Sequence, residues 1–209
     1  MANSKKRCRY CKEYKDVSTM VSVPLGAFCN FDHASKYGIE KSQARRTKEF
    51  KRDIRKKKAE LKLGDVRHQH RLTQQAFNRL RVLQELSWFK DRGIEPYCIS
   101  CGKENMDWCC GHFKTVGSSG SLRYDVKNTY LQCNFYCNMN KSGNIEGCSK
   151  THGYKQGLFL RFGNTEGQGI IDYCLARQSD VKKWDGAELN GKRKEYRAAI
   201  KKLEKEAEL

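Results

Sequence analysis

The sequence holds no uninterrupted apolar run approaching the roughly 20 residues of a bilayer-spanning helix, and no apolar signal core precedes its first cysteine pair. Both absences turn the reading away from membranes and secretion and towards the cytoplasm. Acidic residues are also few: 24 Asp and Glu stand against 42 Lys and Arg, a formal net charge of +18. An excess of that size implies a polyanionic partner, and with membranes set aside the partner is nucleic acid. Hydrophobic residues make up only 38% of the chain against 32% charged, so the 209 residues can build one or two compact domains with a small, divided core. Cysteine is what the chain has in quantity. Eleven cysteines without a signal, mostly in short-spaced pairs, read as reduced metal ligands rather than disulfides.

The densest chemistry lies between Cys98 and Asn144. The stretch opens with Cys98-Ile-Ser-Cys101, passes Gly111-His112-Phe113 and Asn128, and closes on Cys133-x3-Cys137-Asn138-x2-Lys141-Ser-Gly-Asn144. Four thiolates from two pairs about thirty residues apart suit a tetrahedral Zn2+, and a closed four-ligand site is structural, contributing folding free energy directly. A metal staple is most useful where the apolar core is thin, and here only Trp108, Phe113, Leu122, Tyr124 and Leu131 supply one. Between the pairs, Gly111 to Thr115 reads as a strand, Gly117-Ser-Ser-Gly120 as a turn and Ser121 to Tyr124 as a second strand. A short helix is expected from Cys137 to Lys141.

A second candidate zinc site precedes it: Cys8-x2-Cys11 followed by Cys29-x3-His33, with two short strands expected to turn at Pro24-Leu-Gly26. Residues 36 to 62 then carry 12 Lys and Arg against 4 Asp and Glu, with no proline and little that is apolar beyond Ile39, Phe50 and Ile54. This is the composition of a solvated helix, polar nearly all round, and its Arg45, Arg46, Lys51, Arg52, Arg55 and Lys56 make it a candidate electrostatic arm for DNA. After a break at Gly64-Asp65, Leu72, Ala76, Leu80, Leu83 and Leu86 recur at helical spacing and predict one packing face, with Trp88 and Phe89 at the seam. His68 and His70, at the break, read as surface residues. Leu158 to Phe162 and Ile170 to Leu175 suggest two short helices, and Ser179-Asp180 resembles a helix start. A final helix near Lys192 to Glu206 places Tyr196, Ala199, Ile200, Leu203 and Ala207 on one stripe, free to pack internally or to pair with a second copy. Cys148 and His152 have no second pair and are read as no third metal site. The expected class is therefore α+β and mainly helical, divided into 1–35, 36–95, 96–145 and 146–209.

The order of Cys98-Ile-Ser-Cys-Gly102, Gly111-His-Phe-Lys-Thr115, Leu122-Arg-Tyr124, Asn128, Gln132-Cys133, Cys137-Asn138 and Lys141-Ser-Gly-Asn144 resembles the HNH, or His-Me finger, nucleases in their zinc-bound form. It is similar in particular to the lambdoid phage NinG recombination endonucleases over roughly residues 7 to 205. The resemblance implies a ββα-metal finger in which His112 is the general base, Asn128 orients the loop and the histidine ring, and Asn138 offers an oxygen to a catalytic Mg2+ or Mn2+. Lys141, with Lys114 as a further contact, would hold a neighbouring phosphate. The substrate implied is branched DNA, such as Holliday junctions and D-loops, in the cytoplasm of a bacterial host. A homodimer fits the two nicks a junction needs, and phage recombination proteins are conceivable partners. The sequence departs from many HNH members at Gly111, where they carry a metal-binding Asp. Nearby Cys109 and Cys110 are soft donors, poor for Mg2+. Two other readings keep the same residues: a non-catalytic zinc-finger protein that binds nucleic acid, and a nicking enzyme of ordinary duplex.

Overall fold

The computed structural model describes residues 4–207, with the side chain of Ala207, the last member of the expected stripe, outside the described set. The chain divides into two compact units, Met1–Leu61 and Lys62–Leu209. In the first, two hairpins form where two strands were expected: β1 (Lys5–Arg7) pairs with β2 (Tyr14–Asp16), and β3 (Val21–Val23) with β4 (Gly26–Phe28). The Arg9 amide donates to the Ala27 carbonyl at 3.1 Å and ties the hairpins together. Phe28 is fully buried against the ring of Tyr37 on the helix that follows. That helix, α1 (Phe31–Gly64), is 34 residues long and has no buried residue. At the usual rise of about 1.5 Å per residue it extends roughly 50 Å. The Asn30 side chain caps its start, accepting from the His33 amide at 2.8 Å.

In the second unit, Asp65 caps α2 (Val66–Lys90) by accepting from the His68 amide at 2.9 Å. The helix lies against the antiparallel pair β5 (Trp108–His112) and β6 (Thr129–Cys133), registered from Trp108 opposite Cys133 to His112 opposite Thr129. Here the structure corrects the sequence reading. Ser121–Tyr124 is a 3-10 turn, and the second strand is Thr129–Cys133, beyond Asn128. All five of its residues are buried, so it lacks the polar face by which a half-exposed strand is recognised. The expected helix at Cys137–Lys141 begins earlier, as a wide π turn over Asn134–Met139. Next, α3 (Gly153–Arg177) is two helical stretches broken at Gly163, where φ is 79°. No helix starts at Ser179-Asp180; α4 (Gly186–Ala207) starts later, with Asp185 accepting from the Glu188 amide at 2.8 Å. Its stripe packs internally on α2. Leu189 is fully buried, and the Thr73 hydroxyl donates to the Leu189 carbonyl at 3.0 Å.

The face that α2 buries overlaps the leucine stripe only in part: Ala76 and Leu80 are buried, and Phe89 at the expected seam with them, while Leu72, Leu83 and Leu86 are half-exposed and Thr73, Phe77, Arg81 and Glu85 are buried in addition. The charges are tolerated because they meet one another. Glu85 accepts from Arg81 at 3.0 Å and from Arg161 of α3 at 2.7 Å, and it also accepts the Leu131 backbone amide of β6 at 3.0 Å. Arg81 donates further to the Thr129 hydroxyl and carbonyl, and Arg161 lies over the rings of Trp88 and Phe89 at 4.1 and 4.6 Å. One carboxylate thus joins α2, β6 and α3. At Gly157 the fit is equally tight. A Cβ there would stand 1.6 Å from the Ile99 carbonyl oxygen, so only glycine lets α3 reach the turn that carries Cys98 and Cys101.

Removing one member of a buried charge network leaves its partners uncompensated, at a cost of about 3–5 kcal/mol. Glu85→Gln should therefore lower stability by about that amount, read as a fall in denaturation midpoint in urea. A loss under about 1 kcal/mol would mean that the two guanidiniums are held well enough by their ring and hydroxyl partners alone.

Candidate metal centres and the His112 site

The two cysteine sets each converge. Cys8, Cys11, Cys29 and His33 form one cluster and Cys98, Cys101, Cys133 and Cys137 the other, with all ligand atoms in each within 4.8 Å of one another. Four sulfurs at a Zn–S distance of about 2.3 Å would be spaced by about 3.8 Å. The observed Cys101–Cys133 separation is 3.8 Å, Cys11–Cys29 is 3.5 Å, and Cys8 Sγ lies 3.7 Å from His33 Nδ1. Donor set and spacing both fit zinc. In the second cluster the Ser100 amide donates to Cys98 Sγ at 3.4 Å and the Asn144 amide to Cys137 Sγ at 3.5 Å, bonds that orient ligands and offset thiolate charge. No third cluster of His, Cys, Asp or Glu forms among the described residues. Cys148 instead accepts from Lys141 at 2.9 Å, which lowers its pKa to about 6, and His152 bonds the Ile99 carbonyl at 3.0 Å.

His112 ends β5. Alternation along the strand puts Cys110 and His112 on the face packed against α2, where the His112 ring sits 6.4 Å from that of Phe77. With Nε2 protonated it donates to the Arg123 carbonyl at 3.3 Å, leaving Nδ1 as the basic nitrogen; the Gln74 amide nitrogen lies 3.5 Å from Nε2. Burial lowers the pKa of His112, outweighing the carbonyls of Arg123 and Cys110, which act in the opposite direction. The ring is therefore neutral near pH 7. Asn128 is wholly buried and staples the loop after β5: its side-chain oxygen accepts from the Lys114 amide at 2.7 Å, and its nitrogen donates to the carbonyls of Lys114 and Leu122. None of these bonds reaches the His112 ring.

The remaining candidates are dispersed. Asn138 is half-exposed on the π turn beside the clustered cysteines, without a side-chain hydrogen bond among the described residues. The Lys141 ammonium is engaged by Cys148 and the Tyr136 ring, and that of Lys114 lies 5.3 Å over Phe113. Arg45, Arg46, Lys51, Arg52, Arg55 and Lys56 are all exposed on α1, with Arg45 paired to Glu49 at 3.3 Å. Gly111 has a steric reason: a Cβ would fall 2.6 Å from the buried Gln132 side-chain oxygen, so a side chain such as the Asp expected from the HNH resemblance has no room on this backbone.

A feature absent from the sequence reading lies next to His112. A cavity of about 630 Å³ opens between the amino-terminal half of α2 and the loop carrying Val116 and Arg123. His68 and His70, expected at the surface, line it together with Arg67, Arg71, Gln74 and Arg123. His70 is half-buried and bonds the Tyr124 hydroxyl at 2.9 Å; burial, then the charge of Arg123, lowers its pKa. The spacing of His70 and Gln74, one helical turn apart, is the only trace of this wall in the sequence.

Elemental analysis of the chain purified without chelator should return two zinc ions, and Cys101→Ser one, with loss of near-ultraviolet dichroism from the second unit. Two ions in the variant would remove Cys101 from the ligand set.

The family profile described as Bacteriophage Lambda NinG protein matches residues 1–206. Among curated relatives, protein ninG of Salmonella phage P22 is 37% identical over 60 residues, 28% of this chain and 29% of that protein. Protein ninG of Escherichia phage lambda is 28% identical over 118 residues, 56% and 52% of the two chains. That of Enterobacteria phage H19B is 26% identical over 159 residues, 68% and 71%. The aligned stretch thus spans under a third of the P22 relative and about half of the lambda one. No solved structure matches the chain. With a profile that runs from the first cysteine finger to the end of α4, the chain belongs to the bacteriophage lambda NinG family.

Proposed function

We propose that the protein is an HNH-type endonuclease that hydrolyses phosphodiester bonds in branched DNA. The observation carrying this reading is the His112 ring, kept neutral by burial at the end of the zinc-stapled hairpin and bonded to the backbone of Arg123, whose side chain lines a cavity with two further arginines. A neutral imidazole takes a proton from water as the water oxygen bonds to phosphorus; the bond to the leaving sugar oxygen then breaks, and that oxygen takes a proton from solvent. α1 supplies affinity without sequence preference through its exposed Lys and Arg, as suits an enzyme that selects shape. A bound Mg2+ or Mn2+ would offset charge on the phosphate oxygens. The one protein oxygen assigned to it is that of Asn138. No acidic cluster accompanies it, so the chain alone does not assemble a site for a hard cation, and the proton transfer rests on His112.

The engagement of Lys141 by Cys148 favours the second reading, a zinc-stapled nucleic-acid-binding protein without catalysis. Cleavage of a labelled four-way junction beside linear duplex, with metal added or chelated, separates the two. His112→Ala should lower the rate about 100- to 10,000-fold and leave junction affinity within about two-fold. Binding without cutting under every metal supports the second reading.

The pH dependence has a sign. His112 is neutral in the folded chain at pH values where a free histidine, of pKa about 6.5, is half protonated. The acid limb of kcat/KM should therefore have its midpoint below pH 6.5, held there by burial of the ring, with the charge of Arg123 acting in the same direction. A midpoint above 6.5 would mean that another group is the base.

A further inference from the structure

We infer that the cavity between α2 and the Arg123 loop is the subsite for a DNA phosphate, so that the reacting face of His112 is completed by α2 and not by the hairpin and π turn alone. The inference deepens the nuclease reading and rests on it. Three arginines line the cavity against one acid, Asp65, whose side chain is already used to cap α2. Two buried polar atoms there lack a partner among the described residues: the side-chain oxygen of Gln74 and Nε of Arg123. A buried guanidinium N–H without an acceptor is costly, and an anion oxygen is the acceptor that suits it. The same two residues adjoin the His112 ring, Arg123 by accepting from Nε2 through its carbonyl and Gln74 with its amide nitrogen 3.5 Å from that atom. Arg123 thus reaches the cavity with its side chain and the imidazole with its backbone. The volume of about 630 Å³ exceeds what a free phosphate needs and admits a nucleotide. His68 and His70 each carry a ring N–H that can donate a hydrogen bond, and the fork of Arg71, which reaches His68 at 3.5 Å, can close on a second phosphate oxygen.

The test uses the full chain with zinc bound. The imidazole signals of His70 and His112 are followed by NMR during titration with inorganic phosphate, and then with a 5′-deoxymononucleotide. Wild type, Arg123→Gln, Arg71→Gln and the remote Lys201→Gln are compared. Arg123→Gln keeps the backbone carbonyl that holds His112, and Arg71 is exposed, so at least one of the two variants retains the fold. Both ligands should shift both signals. Arg123→Gln should weaken the binding by about 10-fold or more, whereas Lys201→Gln leaves it unchanged. On the junction, Arg123→Gln should lower kcat by at least about 10-fold with Kd within two-fold, because α1 dominates affinity. Histidine signals that stay still at millimolar phosphate overturn the subsite, as does binding that Arg123→Gln and Arg71→Gln leave intact. If the wild type binds phosphate in the cavity and never cuts DNA, the subsite stands and the nuclease reading falls. If it cuts and the variants cut equally well, the nuclease reading stands and the subsite falls.

Discussion

A carboxylate taken out of water is stable only if cations and hydrogen-bond donors surround it, and Glu85 meets that condition by drawing three elements together. Its two oxygens are shared among Arg81 on its own helix, Arg161 on α3 and the backbone amide of Leu131 in β6. None of the three elements can shift without exposing a charge that has no water to return to. This interaction sets the position of α2 on the hairpin, and with it the distance between Phe77, Gln74 and the His112 ring. Specificity of arrangement, more than net stability, is what such a network contributes, since well-packed apolar residues of like volume would be at least as stabilising.

The hairpin has two faces with different work. One carries Cys109, Gly111, Tyr130 and Gln132 towards α3 and the zinc turn, where the Tyr154 hydroxyl bridges the strands by donating to the Gly111 carbonyl and accepting from the Tyr130 amide. The other carries Cys110 and His112 towards α2. The register sets Cys133 opposite Trp108 at one end of the hairpin and His112 opposite Thr129 at the other, so the cysteine cluster and the histidine stand at opposite ends of one five-residue ladder.

Short-range chemistry was legible in the sequence, because a C-x2-C pair or a cap imposes its geometry within a few residues. Both cysteine sets, the basic helix and the internal stripe of α4 follow from such local patterns. What was not legible depends on partners far along the chain. Ser121–Tyr124 and Thr129–Cys133 are both strand-like in composition, and the choice falls to the second because its five residues are buried under α2 and α3. Arg81 and Glu85 are buried together with Arg161, some eighty residues on, whose charge completes their neutralisation. The cavity was hidden for the same reason. Gln74 and Arg123 are separated by about a third of the unit's sequence, and only the packing of α2 on the hairpin makes them neighbours.

α1 presents the opposite situation. Beyond its first two turns, where His33 joins the cysteine cluster and Tyr37 meets Phe28, a helix of 34 residues with no buried side chain draws little from packing, so its order rests on intrinsic propensity and on i,i+4 pairs such as Asp32–Lys36 and Arg45–Glu49. The run Arg55 to Lys58 works against it through repulsion between like charges on successive turns. A polyanion laid along the helix would remove that repulsion. Coil-to-helix equilibrium and ligand occupancy are then linked functions: each phosphate neutralised stabilises the rod, and a better-formed rod presents its cations at a more regular spacing.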